Sequence, residues 1–170
     1  MKLLFKLLIS GTLILILFVS SLTSCKKDTV YQTNTDTVYV STDVAITPAL
    51  IAANKWMIEE TRGVSGSSLV YYLRGGGTNT ESFDNEYIKF NTDFSATYHD
   101  NFGTDRAITW SFANADNTKM LLNFTNTPAS FTVTWDNIHS KNGKIYLDEY
   151  FTDGNTGANT HKQAIRVPKP

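Results

Sequence analysis

A single thiol is the side chain whose setting most clearly points to chemistry in this 170-residue chain. Cys25 is the only cysteine, so it cannot form a disulfide within the chain. It stands at the exit of an apolar N-terminal run and directly follows the small residues Thr23 and Ser24. The chemistry to consider at Cys25 is therefore that of a lone thiol at the end of an apolar segment.

The residues before Cys25 have the organisation of an export signal. Lys2 and Lys6 provide positive charge, and residues 7–22 are apolar apart from small polar interruptions. This run is short for a membrane-spanning helix, which needs roughly 20 apolar residues, but it fits the apolar region of a signal peptide. The alternative is a signal-anchor helix in which Cys25 is a bystander.

The segment Leu22-Thr23-Ser24-Cys25 resembles the bacterial lipoprotein box. The resemblance implies that residues 1–24 are removed and that Cys25 becomes the first residue, carrying diacylglycerol and a further acyl chain such as palmitate. Several chains hold a protein stably, since each buried methylene contributes about 0.8 kcal/mol. The absence of Asp directly after Cys25 favours the outer membrane of the cell envelope, by analogy with enterobacteria.

Charge and composition exclude several classes of function. Residues 1–24 contain two lysines and no acids, so the remainder carries 13 basic and 16 acidic side chains. A net charge of −3 without a basic patch argues against nucleic acid as a partner. The sequence has no cysteine pair for zinc, and polar residues, not a helix, follow Gly75–Gly77, so no cofactor is expected. The oligomeric state is left open.

Other polar groups lack the spacing that catalysis or metal binding requires. The three histidines, His99, His139 and His161, fall at strand ends or loops and are expected at the surface, not as metal ligands. The acidic pairs 59–60 and 148–149 are adjacent in predicted strands, so their side chains point to opposite faces. The sequence therefore predicts neither a metal site nor an enzyme.

Residues 25–46 are predicted to be an extended tether between the anchor and the domain. This segment is polar and contains the repeat Asp-Thr-Val-Tyr at 28–31 and 36–39. Its valine and tyrosine content also permits pairing as a strand. The Asp-Thr-Val triplets resemble the O-glycosylation acceptor of Bacteroidota, which implies that Thr29 and Thr37 carry sugars.

From residue 47 onward the chain has the pattern of an antiparallel sheet. Thr47 and Pro48 predict the start of a short helix that plugs one end of the domain. Short alternating runs separated by turn residues follow, which favours a sandwich or a closed barrel of eight or nine strands in up-and-down order. The predicted strands are 57–60, 68–73, 86–90, 95–99, 106–112, 119–124, 130–135, 144–151 and 162–167.

Residues 47–170 resemble the lipocalin-like domains of Bacteroidota lipoproteins. The matching features are Trp56 after a short helix and the aromatic-rich runs at 87–90, 95–98, 108–112, 120–124 and 144–147. The resemblance implies an all-β, antiparallel up-and-down barrel of about eight strands with a short N-terminal helix. In that family a basic residue stacks on the entry Trp, which implies a contact between Arg166 and Trp56. The alternation, however, places Ile165 and Val167 toward the core and Arg166 outward.

A barrel of this size is either filled by its own side chains or holds one small ligand. The first reading predicts a membrane-anchored protein that binds a small apolar or amphipathic ligand, with the 75–85 loop and the 48–53 helix as gate or plug. The second predicts an interaction protein with a filled core that docks an envelope protein or glycan. A cavity of at least about 300 Å³ favours the first. The residues predicted to line the interior are Trp56, Phe90, Trp110, Phe112, Phe124, Phe131 and Trp135.

Overall fold

The computed structural model describes residues 43–125, 130–154 and 156–170. The predicted signal peptide, Cys25, Thr29, Thr37 and most of the predicted tether lie outside these residues. Within the described ranges, no helix has the length and apolar content that crossing a bilayer requires.

A five-residue helix, α1 (Pro48–Ala52), begins as the sequence predicts. The hydroxyl of Thr47 accepts a hydrogen bond from the backbone N–H of Leu50 at 3.1 Å, and Pro48 occupies the first turn. Ile51 is fully buried, and its carbonyl accepts a hydrogen bond from Trp56 Nε1 at 2.7 Å. These contacts hold α1 against the end of the barrel where the first strand begins.

The described chain is almost entirely β-structure, and every strand pair is antiparallel, so the predicted all-β, up-and-down barrel is confirmed. The strands are β1 (Lys55–Ser65), β2 (Ser68–Leu73), β3 (Tyr87–Phe90), β4 (Ser95–His99), β5 (Asp105–Phe112), β6 (Met120–Phe124), β7 (Phe131–Lys141), β8 (Lys144–Thr152) and β9 (Asn159–Pro168).

Closure of the barrel depends on β1, which pairs with three strands. One edge of β1 pairs with β9 along residues 56–65, and the other edge is divided between β3 and β2. Because β2 and β3 share one edge, nine strands make an eight-stranded closed wall. Gly63 permits the close approach of β1 to β9, since a Cβ there would clash with the carbonyl of His161.

Three strands, β1, β7 and β9, are several residues longer than the alternation predicts. β1 runs from Lys55 to Ser65, and β7 continues to Lys141, six residues beyond its predicted end. In β7 the pairing register shifts between Asp136 and His139, and Asn137 adopts a positive φ of 51°. This β-bulge interrupts the period-two pattern without ending the strand, which is why the pattern indicated too short a strand.

The half of the barrel next to α1, here called the closed half, is filled with apolar side chains. Trp110 lies at its centre, 5.4 Å from the ring of Phe90, and its Nε1 donates to the carbonyls of Asn91 and Ser95. The chain is already attached here before residue 47, because Val44 pairs with Ser140 and Ile46 is buried. Buried apolar residues of this half include Ile46, Ile51, Trp56, Phe90, Ala96, Ile108, Trp110, Met120, Ile138 and Ile145.

The predicted orientation of Arg166 is wrong. The buried residues of β9 are Thr160, Lys162, Ala164 and Arg166, and Arg166 is only 2% exposed, whereas Ile165 and Val167 are half-buried. Alternation assigns the apolar face of a strand to the interior. In β9 the interior face carries two cations that Glu149 on β8 and Glu86 just before β3 neutralise, and a pattern along one strand does not reveal those partners.

Candidate functional site: a charged cavity inside the barrel

A cavity of about 210 Å³ lies in the half of the barrel opposite α1, here called the mouth half. The turns that join β1 to β2, β4 to β5 and β8 to β9 surround this end. The cavity wall combines aromatic rings, aliphatic side chains and charged groups. Its lining includes Val70, Phe83, Glu86, Ile88, Tyr98, Leu122, Phe124, Phe131, Val133, Trp135, Glu149, Phe151, Lys162 and Arg166.

Four ionisable side chains in this wall form a buried charge cluster. Arg166 Nη2 lies 2.9 Å from Glu86 Oε1 and 3.8 Å from Glu149 Oε2, and Lys162 Nζ lies 2.8 Å from Glu149 Oε1. Trp135 Nε1 donates to Glu149 Oε2 at 3.0 Å. Two carboxylates and two cations give the charge cluster a net charge of zero.

Opposite charges hold Glu149, Lys162 and Arg166 in their ionised forms. Burial alone would raise the pKa of Glu149, but the positive charges of Lys162 and Arg166 hold that pKa below its ordinary value. Burial would likewise lower the pKa of Lys162, but Glu149 keeps it above its usual range. The pKa of Arg166 is raised in the same way, against burial, by Glu86 and Glu149. Both cations and Glu149 are therefore charged at neutral pH.

The two cations retain hydrogen-bonding capacity beyond their ion pairs. Lys162 Nζ donates to Glu149 and lies 5.2 Å and 5.6 Å from the ring centroids of Phe83 and Phe151, which line the cavity. Arg166 stacks on Trp135 at 5.0 Å and donates to the Trp56 carbonyl, but its Nε is buried without a partner among the described residues. An unsatisfied buried donor costs about 1–3 kcal/mol, so an acceptor at this site would be stabilising.

The loop between β2 and β3 positions Phe83 over the cavity. Arg74 fixes the loop by donating to the carbonyls of Ile58 at 2.6 Å, Asp84 at 3.0 Å and Phe83 at 3.2 Å. Tyr72 donates to Asp84 at 2.7 Å, and its ring packs edge-on against Phe83. Burial and this hydrogen bond raise the pKa of Tyr72 to about 12, so its hydroxyl remains a donor.

The residues predicted to line the interior divide between the two halves of the barrel. Phe124, Phe131 and Trp135 line the cavity. The others pack in the closed half, where Trp56, Phe90 and Trp110 are buried and Phe112 is half-buried.

The contact that the resemblance implies between Arg166 and Trp56 takes a different form. Arg166 Nη1 donates to the Trp56 carbonyl at 3.3 Å, and the guanidinium lies over the ring of Trp135. An inward Arg166 meets Trp135 because both side chains point into the barrel from β9 and β7, the two strands that flank β8.

Sequence reasoning did not find the charge cluster as a candidate site. One signal was present in β8, where Glu149 continues the inward alternation of Ile145 and Leu147. The adjacent Asp148 is half-buried and pairs with Asn137, as expected for the opposite face of the strand. No comparable signal marks Glu86, which precedes β3 at the end of a loop.

The three histidines and Asp100, in the turn between β4 and β5, make contacts within the protein. Each histidine stacks on a tyrosine of the neighbouring strand: His99 on Tyr87, His139 on Tyr146 and His161 on Tyr150. Asp100 Oδ1 accepts the backbone N–H groups of Phe102 and Thr104, and the latter bond in particular lowers the pKa of Asp100. Among the residues described, no group of three or more His, Cys, Asp or Glu side chains is arranged to hold a metal ion.

Comparisons of the chain with protein-family models, with curated proteins and with solved structures gave no match.

Proposed function

We propose that this chain is a lipid-anchored binding protein whose lipocalin-like barrel holds one small molecule with an apolar body and a polar group. The supporting observation is the cavity in the mouth half, which combines apolar rings with a few convergent polar groups. That combination is typical of small-molecule sites. The geometry shows the cavity and its lining, and the ligand itself is the proposal.

The size of the cavity limits the ligand. At about 210 Å³ it is smaller than the roughly 300 Å³ at which most ligand pockets begin, and smaller than the sequence-based criterion for a binding barrel. A cavity of about 150 Å³ lined by apolar side chains nevertheless binds benzene. By that scale the mouth half accommodates about eight or nine non-hydrogen atoms, one ring with a short substituent.

The proposal places the protein on a membrane of the cell envelope, expected to be the outer membrane, through lipid on Cys25. The described chain joins the barrel at the closed half, where Val44 pairs with Ser140, and the mouth lies at the other end. Labelled palmitate should appear on the wild-type chain and be lost in Cys25→Ser, and intact mass should reveal any sugar on Thr29 or Thr37.

A second candidate function is docking of an envelope protein or glycan by a barrel with no ligand. Two observations favour it: the closed half is filled with side chains, and the charge cluster is largely satisfied within the protein. In this alternative the cavity holds only water, and the outer face or the loops carry the function.

Native mass spectrometry of the protein purified from its own host separates the two candidates. Ligand binding predicts an added mass of one small organic molecule that denaturation releases. Val133→Trp fills the cavity and should abolish the added mass. Thr132→Trp places the same bulk on the outer face of β7 and should leave it unchanged. A wild-type protein at its own covalent mass, with no released molecule, contradicts the ligand proposal.

A further inference from the structure

We propose that the cavity selects a compact ring compound bearing an uncharged oxygen acceptor, such as a ketone or amide carbonyl, and that Lys162 is the residue that binds this oxygen. This inference rests on the proposed function, because it names the class of ligand for the same site. Three observations carry it: the spare donors, the charge balance and the volume of the cavity.

Lys162 and Arg166 have N–H groups that can still donate hydrogen bonds to a ligand. The Lys162 ammonium has three hydrogens and one carboxylate partner, Glu149. The guanidinium of Arg166 is buried, and its Nε has no partner among the residues described. Glu149, in contrast, already accepts from Lys162 and Trp135 and lies beside Arg166. A ligand that offers an acceptor complements this wall better than one that offers a donor.

The charge cluster is already neutral without a ligand. Glu86 and Glu149 balance Lys162 and Arg166, so a ligand carboxylate would leave one uncompensated negative charge inside the barrel. A ligand amine would leave one uncompensated positive charge. Burying an unbalanced charge is costly, whereas a carbonyl oxygen accepts a hydrogen bond and leaves the charge balance unchanged.

The apolar body of the ligand fits between aromatic rings. Phe83 and Phe151 flank Lys162, and Phe131 lies between Phe124 and Phe151 with ring centroids 4.6 Å and 6.1 Å away. A cavity of about 210 Å³ holds one ring with a short substituent but not a long acyl chain. The selected class is therefore a small aryl or cyclic ketone or amide.

Calorimetric titration of the full chain with three probes of nearly equal size tests this selection. Acetophenone carries a neutral carbonyl, cumene has a methyl group in place of the carbonyl oxygen, and benzoate has a negatively charged oxygen in place of the methyl group of acetophenone. Acetophenone should bind about tenfold more weakly to Lys162→Met than to the wild type, the factor expected for one hydrogen bond from a charged donor. Cumene should bind both proteins equally, and benzoate should bind the wild type more weakly than acetophenone.

Two further variants keep the test decisive. Glu149→Gln/Lys162→Met removes both partners of one ion pair and preserves neutrality, so it replaces Lys162→Met if that single variant fails to fold. Lys144→Met removes an outward lysine paired with Glu59 at 2.6 Å and should leave all three affinities unchanged.

The outcomes separate this inference from the proposed function. If acetophenone loses no more affinity than cumene in the Lys162 variants, or if benzoate binds most tightly, the carbonyl inference is overturned while a binding cavity stands. If none of the three probes binds the wild type, the inference fails, and an absence of any co-purified molecule then removes the proposed function as well.

Discussion

The two halves of this barrel are built from the same strands, but the closed half has a packed interior and the mouth half contains a cavity. The closed half is filled by interlocking apolar and aromatic side chains around Trp110, and α1 covers it. The mouth half holds two carboxylates and two cations around a void. The closed half is stabilised by close packing of complementary side chains. The mouth half is stabilised by ion pairs and retains an unfilled cavity. The difference indicates that the closed half supports the fold, whereas the mouth half contains the cavity on which the proposed binding depends.

The largest expected effect concerns packing in the closed half. Trp110→Ala should lower the free energy of unfolding by about 4 kcal/mol, because it empties a site surrounded by Phe90 and Phe112. Urea unfolding followed by circular dichroism measures this change. Phe102→Ala is the matched control, since Phe102 is 92% exposed and its loss should change stability by less than about 0.5 kcal/mol. Equal losses from both variants would contradict the assignment of the core.

A smaller loss is expected when the charge cluster is broken from one side. Glu149→Gln should cost about 3 kcal/mol, because it leaves Lys162 and Arg166 with one carboxylate between them. The double variant Glu149→Gln/Lys162→Met should recover part of that loss, since no lysine is left unpaired. Chemical denaturation of the single and double variants checks this, and a double variant less stable than both single variants would contradict it.

Acid should weaken the mouth half through the same carboxylate. In the folded protein the pKa of Glu149 lies below its ordinary value of 4.5. The contribution of Glu149 to stability is therefore complete above about pH 4.5 and is lost as the pH falls through the folded-state pKa. The loss should not exceed that of Glu149→Gln, because protonation also removes the charge. Urea midpoints between pH 7 and pH 3 measure it. Glu149→Gln should show a flatter pH dependence, and parallel curves for both proteins would contradict the assignment.

The smallest effects on stability should distinguish the packed interior of the closed half from the cavity of the mouth half. Ala96→Leu in the closed half should cost about 2 kcal/mol by overpacking, because the buried Ala96 pairs with the buried Ile108. Val133→Leu adds one methylene at the cavity wall and should change stability by less than about 1 kcal/mol. Thermal unfolding of both variants tests the contrast, which fails if Val133→Leu is the more disruptive change.

Regular alternation predicted most of the wall of this barrel. β5, β6 and the first part of β7 place Trp110, Leu122 and Val133 inward as their apolar periodicity indicates. The cap of α1 was equally readable, since Thr47 and Pro48 act through local backbone geometry. In both cases the determining interactions lie within a few residues of each other, or repeat with a fixed period.

The site depended on contacts between distant residues, and these left little trace in the sequence. Arg166 is 80 residues from Glu86 and 110 from Trp56. Only the folded barrel brings these residues together, and a charged residue in a strand ordinarily indicates the outer face. The bulge at Asn137 was missed for the same reason, since its register depends on pairing with β8.

The pairing of β1 with β9 has a consequence for how this protein folds during its synthesis. The β1–β9 pairing joins residues about a hundred positions apart. The chain must therefore lose a large amount of conformational entropy before the barrel can close. Folds dominated by such distant pairings assemble over milliseconds to seconds. Until β9 has been synthesised, one side of β1 lacks its partner, and a nascent chain therefore presents an open edge that neighbouring strands could occupy.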